Sequence, residues 1–162
     1  MARIGRAFPS RALILSRIAT ASAAVTGTAT ASITETDVVT GGKTIIITLT
    51  NNNWVPTASF DAQRQNIING LDSAQVEATG WDAVVKATQG VAGVVRTSDT
   101  VVTVTLDAFA TYNITAQETI TVTVPASALS SVEAITATPT FTVSAVGAAN
   151  RRRYSLTLSG VG

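Results

Sequence analysis

Residues 97–124 read TSDTVVTVTLDAFATYNITAQETITVTV and contain two runs in which apolar residues alternate with threonine. The apolar positions that share a face are Val102, Val104 and Leu106 in the first run and Ile120, Val122 and Val124 in the second. Alternation with period two among β-branched residues is typical of a half-buried strand. Strands of this kind bury their apolar side against another layer, commonly a second sheet. The stretch therefore predicts an all-β sandwich.

Composition limits what kind of protein this is. The 162 residues suffice for one domain with extensions, and 46% of them are apolar, which is enough for a core. Charged residues make up 13%, about half of the roughly 25% that is usual. A surface so poor in charge and rich in threonine, alanine and valine predicts extensive contact with other protein. The alternative is a small all-β domain that simply carries a threonine-covered surface.

The few charges are unevenly placed along the chain. The basic residues of the two ends are Arg3, Arg6, Arg11 and Arg17, and then Arg151, Arg152 and Arg153, whereas the acids fall between Glu35 and Glu133. We expect the basic ends to dock on an acidic partner or on other copies of the chain, with simple solvation as the alternative. The net charge of +1 predicts no general attraction to nucleic acid or to a membrane surface. No stretch reaches the ~18 apolar residues of a membrane span.

The pattern divides the chain into three parts. Residues 1–30 are expected to form a basic extended arm and a small-residue linker, with a weak strand within 19–30 as the alternative. Residues 31–146 are expected to form the sandwich, and residues 147–162 a basic C-terminal strand or tail. In the tail Tyr154, Leu156 and Leu158 alternate with Ser and Thr. This last strand is expected to pair with the edge of its own sheet or to add to the sheet of a neighbour.

One helix is predicted among the strands. The residues that recur at three- and four-residue spacing are Phe60, Arg64, Ile67, Ile68, Leu71, Ala74 and Ala78. They predict an amphipathic helix over about 59–79, with Ser59 as its N-cap and Gly80 as its stop. Gly70 in its interior costs ~1 kcal/mol relative to alanine, so a break at that residue is left open. Strands are expected over 32–39, 43–50, 91–96 and 135–146, with a turn at Gly41-Gly42.

Little in the sequence points to chemistry. The chain contains neither histidine nor cysteine, which excludes Ser-His-Asp and Cys-His catalysis, disulfides and thiolate metal sites. Asp72, Glu77 and Asp82 lack the spacing of a calcium-binding loop. We therefore expect no catalytic residue, no metal and no cofactor. Trp54 and Trp81 are expected in the core. If both were exposed and coplanar, they could instead form a stacking platform for a sugar.

Five segments together span about 30–143: TASITETDVVTGGKTIIITLTNNNWV, FDAQRQNIINGLDSAQVEATGW, VVRTSDTVVTVTL, YNITAQETITVTVPASAL and ATPTFTV. They resemble an immunoglobulin-like module of structural proteins of tailed bacteriophages, a module that also recurs in bacterial surface proteins. The most specific part is the pattern YxIxxxExIxVxVPAxAL, which begins at Tyr112. The opening MARIGRAFPSR also resembles the start of small phage virion proteins.

The resemblance implies an immunoglobulin-like β-sandwich and a structural role in the virion without chemistry. The leading expectation is a capsid decoration or cement protein that docks through its termini, is oligomeric in the particle, and has the major capsid protein or tail proteins as its partners. The expected docking residues are Arg3, Arg6, Arg11 and Arg17 of the arm and Arg151, Arg152, Arg153, Tyr154, Leu156 and Leu158 of the tail. A tail or fibre component is the alternative within this class. A cell-surface carbohydrate-binding or adhesion module, with Trp54 and Trp81 as its platform, is the alternative from another class.

Overall fold

The computed structural model describes residues 26–28, 32–131 and 138–146. Eight strands are assigned there: β1 Thr26–Thr28, β2 Ile33–Thr34, β3 Thr44–Thr50, β4 Leu71–Ser73, β5 Val94–Arg96, β6 Val101–Thr105, β7 Glu118–Val122 and β8 Thr140–Ser144. The helices are α1 Glu35–Thr40, α2 Thr57–Phe60, α3 Arg64–Asn69 and a π-helix Trp81–Lys86. Short 3₁₀ turns cover Asp61–Gln63, Val91–Gly93 and Ala126–Ala128.

The strands form two four-stranded sheets. The first has the order β1-β3-β6-β5, with every neighbouring pair antiparallel. The second has the order β2-β8-β7-β4, and its short strand β2 runs parallel to β8 while the other pairs are antiparallel. Inward side chains of both sheets belong to a single buried cluster. The prediction of an all-β sandwich is confirmed at this level of detail.

The two alternating runs form strands β6 and β7, and alternate residues of each strand are buried, as their period predicts. Buried positions alternate with partly exposed threonines along β6 and β7. The inward residues of the central strands, each at most 3% exposed, are Ile45, Ile47, Leu49, Val102, Val104, Leu106, Ile120, Val122, Phe141 and Val143. Val124, beyond the end of β7, is only partly buried and packs against the core from its rim. Each sheet thus contributes one apolar face, as the period of two requires.

The prediction of one helix over 59–79 is wrong in its second half. The helical segment begins at Thr57 after Pro56 rather than at Ser59, and it ends at Asn69. Gly80 does not stop it but precedes the π-helix. Residues 71–73 are strand β4, which pairs with β7.

Gly70 explains why the helix ends where it does. The amide of Thr123 donates to the Gly70 carbonyl oxygen over 2.7 Å. At this approach a Cβ on residue 70 would collide with the Thr123 carbonyl oxygen. The backbone of the second sheet thus occupies the space that a side chain would need. Pairing with β7 then takes the chain out of the helix one residue later, at Leu71.

The predicted strand over 32–39 is also mostly wrong. Only Ile33–Thr34 is strand, and α1 starts immediately afterwards. Thr34 and Asp37 form a reciprocal capping box at its N-terminus, which satisfies backbone donors that a helix start leaves free. The hydrogen bonds from the backbone and side chain of Thr34 lower the pKa of Asp37. The turn at Gly41-Gly42 is confirmed, with φ angles of 72° and 77° that favour glycine.

The remaining predicted boundaries shift by a few residues. In the stretch 91–96 only Val94–Arg96 is strand, after a 3₁₀ turn. Strand β8 begins at Thr140, while residues 132–137 lie outside the described part of the chain. Strand β1 lies within the segment predicted as arm and linker, where it pairs with β3 at the edge of the first sheet. The ordered sheet therefore starts before the predicted domain boundary at residue 31.

We predict that Gly70→Ala lowers the free energy of unfolding by about 2 kcal/mol, because the added methyl group forces β4 and the end of β7 apart. Gly42→Ala is the control: its Cβ would meet no atom within 4 Å, so only the left-handed backbone is penalised, by about 1 kcal/mol. Urea denaturation of both variants measures the difference. Equal losses of unfolding free energy in the two variants would contradict the role assigned to the close contact between Gly70 and the Thr123 backbone.

Candidate functional site

The predicted docking residues of the two termini cannot be placed. Arg3, Arg6, Arg11 and Arg17, and likewise Arg151, Arg152, Arg153, Tyr154, Leu156 and Leu158, lie outside the described residues. They remain predictions from the sequence. The features that the structure does place are the two tryptophans, a buried carboxylate, the acids Asp72, Glu77 and Asp82, and the outer face of the first sheet.

The two tryptophans do not form a surface platform. Trp54 and Trp81 are 1% and 0% exposed. The Trp54 ring packs edge-on against Phe60 at 6.2 Å, and the Trp81 ring packs edge-on against Phe141 at 5.4 Å. The indole N–H of Trp81 donates to the carbonyl oxygen of Leu71 at 3.0 Å. The exposed, coplanar pair that a sugar platform requires is therefore not present, and both indoles serve the core.

A buried carboxylate, Glu118, lies at the start of β7 with no solvent exposure. Its oxygens accept hydrogen bonds from the Tyr112 hydroxyl at 2.6 Å and from the Ser73 hydroxyl at 3.2 Å. The backbone amide of Trp81 also donates to both carboxylate oxygens, at 3.2 and 3.1 Å. A buried carboxylate is tolerated only when it is hydrogen-bonded in this way. Its acceptors are therefore occupied by the protein itself.

The sequence contained a signal for this site. Glu118 falls in register with Ile120 and Val122, on the inward face of β7, where an acid is out of place without partners. Tyr112 and Glu118 are also the first residue and the glutamate of the pattern YxIxxxE. The pattern thus records an internal hydrogen bond of 2.6 Å. Burial, followed by the hydrogen bond to Glu118, raises the pKa of Tyr112 well above its ordinary value of 10.0.

The acids considered for calcium are each partnered within the protein. Asp72 forms an ion pair with Lys86, and Asp82 accepts from the Ser73 amide at 3.0 Å. Glu77 accepts from the amide and the hydroxyl of Thr115, at 3.2 and 3.1 Å. Within the described ranges no three such residues come together as a metal site.

The outer face of the first sheet is uncharged. It is formed by the outward residues of three strands, and we call it the threonine face: Thr44, Ile46, Thr48 and Thr50 of β3, Val101, Thr103 and Thr105 of β6, and Val95 of β5. Ile46 and Val95 both pair across the sheet with Thr103, so the three side chains form one row. Ile46 is 44% exposed and Val95 45%. This row presents apolar surface to solvent at the centre of the sheet.

The two outer faces of the sandwich differ in charge. Asp72 of β4, paired with Lys86, lies on the second sheet beside Thr121. The threonine face has no such ion pair, and its hydroxyl groups can exchange water for hydrogen-bond partners on a surface that covers it. Covering it therefore costs no charge desolvation, which is the main penalty for burying polar surface.

Comparison of the chain with protein-family models, with curated proteins and with solved structures gives no match. Among the described residues, no helix has the length and apolar character that crossing a membrane requires.

We predict that Glu118→Ala lowers the free energy of unfolding by about 3 kcal/mol or more, because it leaves the Tyr112 hydroxyl and the Trp81 amide buried without an acceptor. Tyr112→Phe removes a single donor and should cost about 1–2 kcal/mol. Glu77→Gln, at a partly exposed carboxylate, is the matched control and should change stability little. Urea denaturation provides the measurement, and a Glu118→Ala variant as stable as the control would refute the assigned role.

Stability should also fall under alkaline conditions. A pKa that is raised in the folded protein means that Tyr112 ionises first in the unfolded chain, so the stability it contributes is complete below pH 10.0 and is lost as the pH rises further. The hydrogen bond with Asp72 raises the pKa of Lys86 and acts in the same direction. Melting temperatures between pH 8 and 11 should therefore decline more steeply for the native sequence than for Tyr112→Phe. Parallel curves would count against this assignment.

Proposed function

We propose that this protein is an immunoglobulin-like structural component of a phage virion, in the first place a capsid decoration or cement protein. The observation that carries the proposal is the uncharged threonine face with its exposed row of Ile46, Thr103 and Val95. Together with a charged content of only 13%, it supports a surface made to be covered by other protein rather than by water.

The strand order supports the immunoglobulin-like part of the proposal. Constant-type immunoglobulin sandwiches have strands A, B, E and D in one sheet and C, F and G in the other. Taking β1 as A, β3 as B, β4 as C, β5 as D, β6 as E, β7 as F and β8 as G reproduces both orders here. The additional strand β2 follows β1 along the chain and joins the opposite sheet beside β8. The disulfide of antibody domains has no counterpart, because the chain has no cysteine.

A binding role also accounts for the way in which the polar groups are used. Glu118 is enclosed by its own donors, and the acids near the helical segments accept hydrogen bonds or form ion pairs within the protein. In the proposal the virion protein acts by contact and performs no chemistry.

The termini complete the proposed docking mode. The arginines of the arm and of residues 151–153 would contact acidic groups on the major capsid protein or on neighbouring copies. The alternating residues Tyr154, Leu156 and Leu158 would add a strand to a neighbour's sheet. A tail or fibre component would use the same surfaces. The adhesion alternative loses its proposed platform, because Trp54 and Trp81 are buried.

The test compares four forms of the protein for binding to empty capsids from the same source, by co-sedimentation. They are the full chain, a form lacking residues 1–24, which keeps β1, the variant Thr103→Lys at the centre of the threonine face, and Thr142→Lys as the matched control. Thr142 lies on the central strand β8 of the second sheet. We expect truncation and Thr103→Lys each to weaken capsid binding by about tenfold or more. Thr142→Lys should bind as the full chain does, and all four forms should melt at the same temperature.

Each outcome bears on a separate part of the proposal. Normal binding by the truncated form would remove the arm as a docking element. Equal binding by the two lysine variants would remove the threonine face. If the full chain itself does not bind capsids, the decoration role fails, and purified tails become the next binding partner to test.

A further inference from the structure

A cleft of about 350 Å³ lies at one end of the sandwich, lined by Asn53, Trp54, Pro56, Thr57, Arg96, Asp99 and Ser130. Three segments meet there: the connection from β3 to α2, the turn between β5 and β6, and the chain after Ala128. They are joined by backbone hydrogen bonds of 2.8 Å from Trp54 to the Asp99 carbonyl and from Ser130 to the Asn53 carbonyl. The walls of the cleft are therefore held by the fold and are not formed by one free loop.

Unpartnered donors concentrate around this cleft. In the described part of the chain, the buried side-chain nitrogen and oxygen atoms without a hydrogen-bond partner are Asn52 Nδ2, Trp54 Nε1 and Arg96 Nε. Trp54 and Arg96 line the cleft, and Asn52 adjoins it through Asn53 and through its hydrogen bond with Ser130. All three are N–H donors that are shielded from solvent, so the side chains around the cleft have more donors than acceptors. A buried donor without an acceptor is destabilising, and an acceptor that reached it would remove this cost.

Arg96 makes the cleft suited to an anion. Its side chain is only 15% exposed, and its Nη2 bonds the Oδ1 atom of Asp99 at 2.5 Å. Asp99 itself is 76% exposed and so is free to move away. The pair leaves other guanidinium donors of Arg96 available for a planar acceptor. Arginine with a carboxylate is among the strongest such pairs in proteins, because two parallel hydrogen bonds can form.

We propose that this cleft binds a carboxylate, supplied by an acidic side chain of a partner protein or by a small free acid, which displaces Asp99 from Arg96. In the absence of the ligand, the Asp99 carboxylate occupies the position on Arg96 that the ligand carboxylate would take. The proposal goes beyond the proposed function, because the cleft is built from different residues than the threonine face and the termini. Its success or failure is therefore independent of capsid binding.

The two tryptophans provide a built-in comparison for the test. In a ¹H–¹⁵N spectrum of the full chain, the indole N–H of Trp54 should shift on titration with sodium acetate, with sodium chloride at the same ionic strength as the reference. The indole N–H of Trp81 should stay in place, because it already donates to the Leu71 carbonyl oxygen and Trp81 does not line the cleft. A capped peptide of glutamates, titrated separately, distinguishes a protein-borne carboxylate from a small free acid by which of the two binds more tightly.

Variants of the ion pair make the test sharper. Arg96→Gln should weaken the binding of acetate about tenfold. Asp99→Asn should strengthen it about threefold, because the internal competitor is neutralised. Arg64→Gln is the matched control, since Arg64 forms an equivalent pair with Asp61 three residues away, and it should change nothing. If Arg96→Gln fails to fold, the acetate affinity of Asp99→Asn and the shift of the Trp54 indole resonance still test the proposal.

Three results would overturn the proposal. One is a Trp54 resonance that moves no more with acetate than with chloride. The second is Asp99→Asn binding acetate more weakly than the native sequence. The third is inorganic phosphate binding the cleft more tightly than either carboxylate probe, which would make it a phosphate site instead.

Discussion

The hydrogen bonds around the buried carboxylate of Glu118 tie the π-helix and the connection before β7 to the paired strands β4 and β7. Glu118 begins β7, Ser73 ends β4, Trp81 begins the π-helix, and Tyr112 lies in the connection between β6 and β7. A carboxylate removed from water must be enclosed by donors, or the fold loses several kcal/mol. The second sheet and the segment that covers it are therefore fixed in one arrangement. Trp81, held in this way, packs against Phe141 of the neighbouring strand β8.

The protein has few charged residues, and the way in which it uses its acids leaves the outer face of the first sheet uncharged. Among the described residues, the carboxylates of acids such as Glu118, Asp37 and Asp107 accept hydrogen bonds that shape the fold. The first sheet is left with an outer face of threonine, valine and isoleucine. Such a face carries no charge, and its β-branched side chains are rigid, so contact with another surface desolvates no ion and orders little that is not already ordered. The proposal of a structural role in the virion depends on this physical property.

The errors of sequence-based reasoning fall where a local pattern is compatible with two structures. Ile67, Ile68 and Leu71 are all buried, as a helix over 59–79 requires. Leu71, however, is buried as a strand residue, because the backbone of Thr123 approaches Gly70 and pairs with it. The three- and four-residue spacing could not distinguish these cases. Likewise Thr34 and Asp37 form a capping motif within a stretch whose valines had favoured a strand.

The sequence by itself determined the two layers of the sandwich and their core, because alternation with period two is a property of neighbouring residues and needs no distant partner. It also determined the turn at Gly41-Gly42, where the backbone conformation selects glycine. Only the tertiary structure decided the surroundings of Glu118, whose partners Trp81 and Ser73 lie 37 and 45 positions away along the chain. The sequence predicted the burial of both tryptophans, but only the tertiary structure decided their ring partners and the cleft at Arg96. Those features arise from contacts between segments distant in sequence, which no local periodicity encodes.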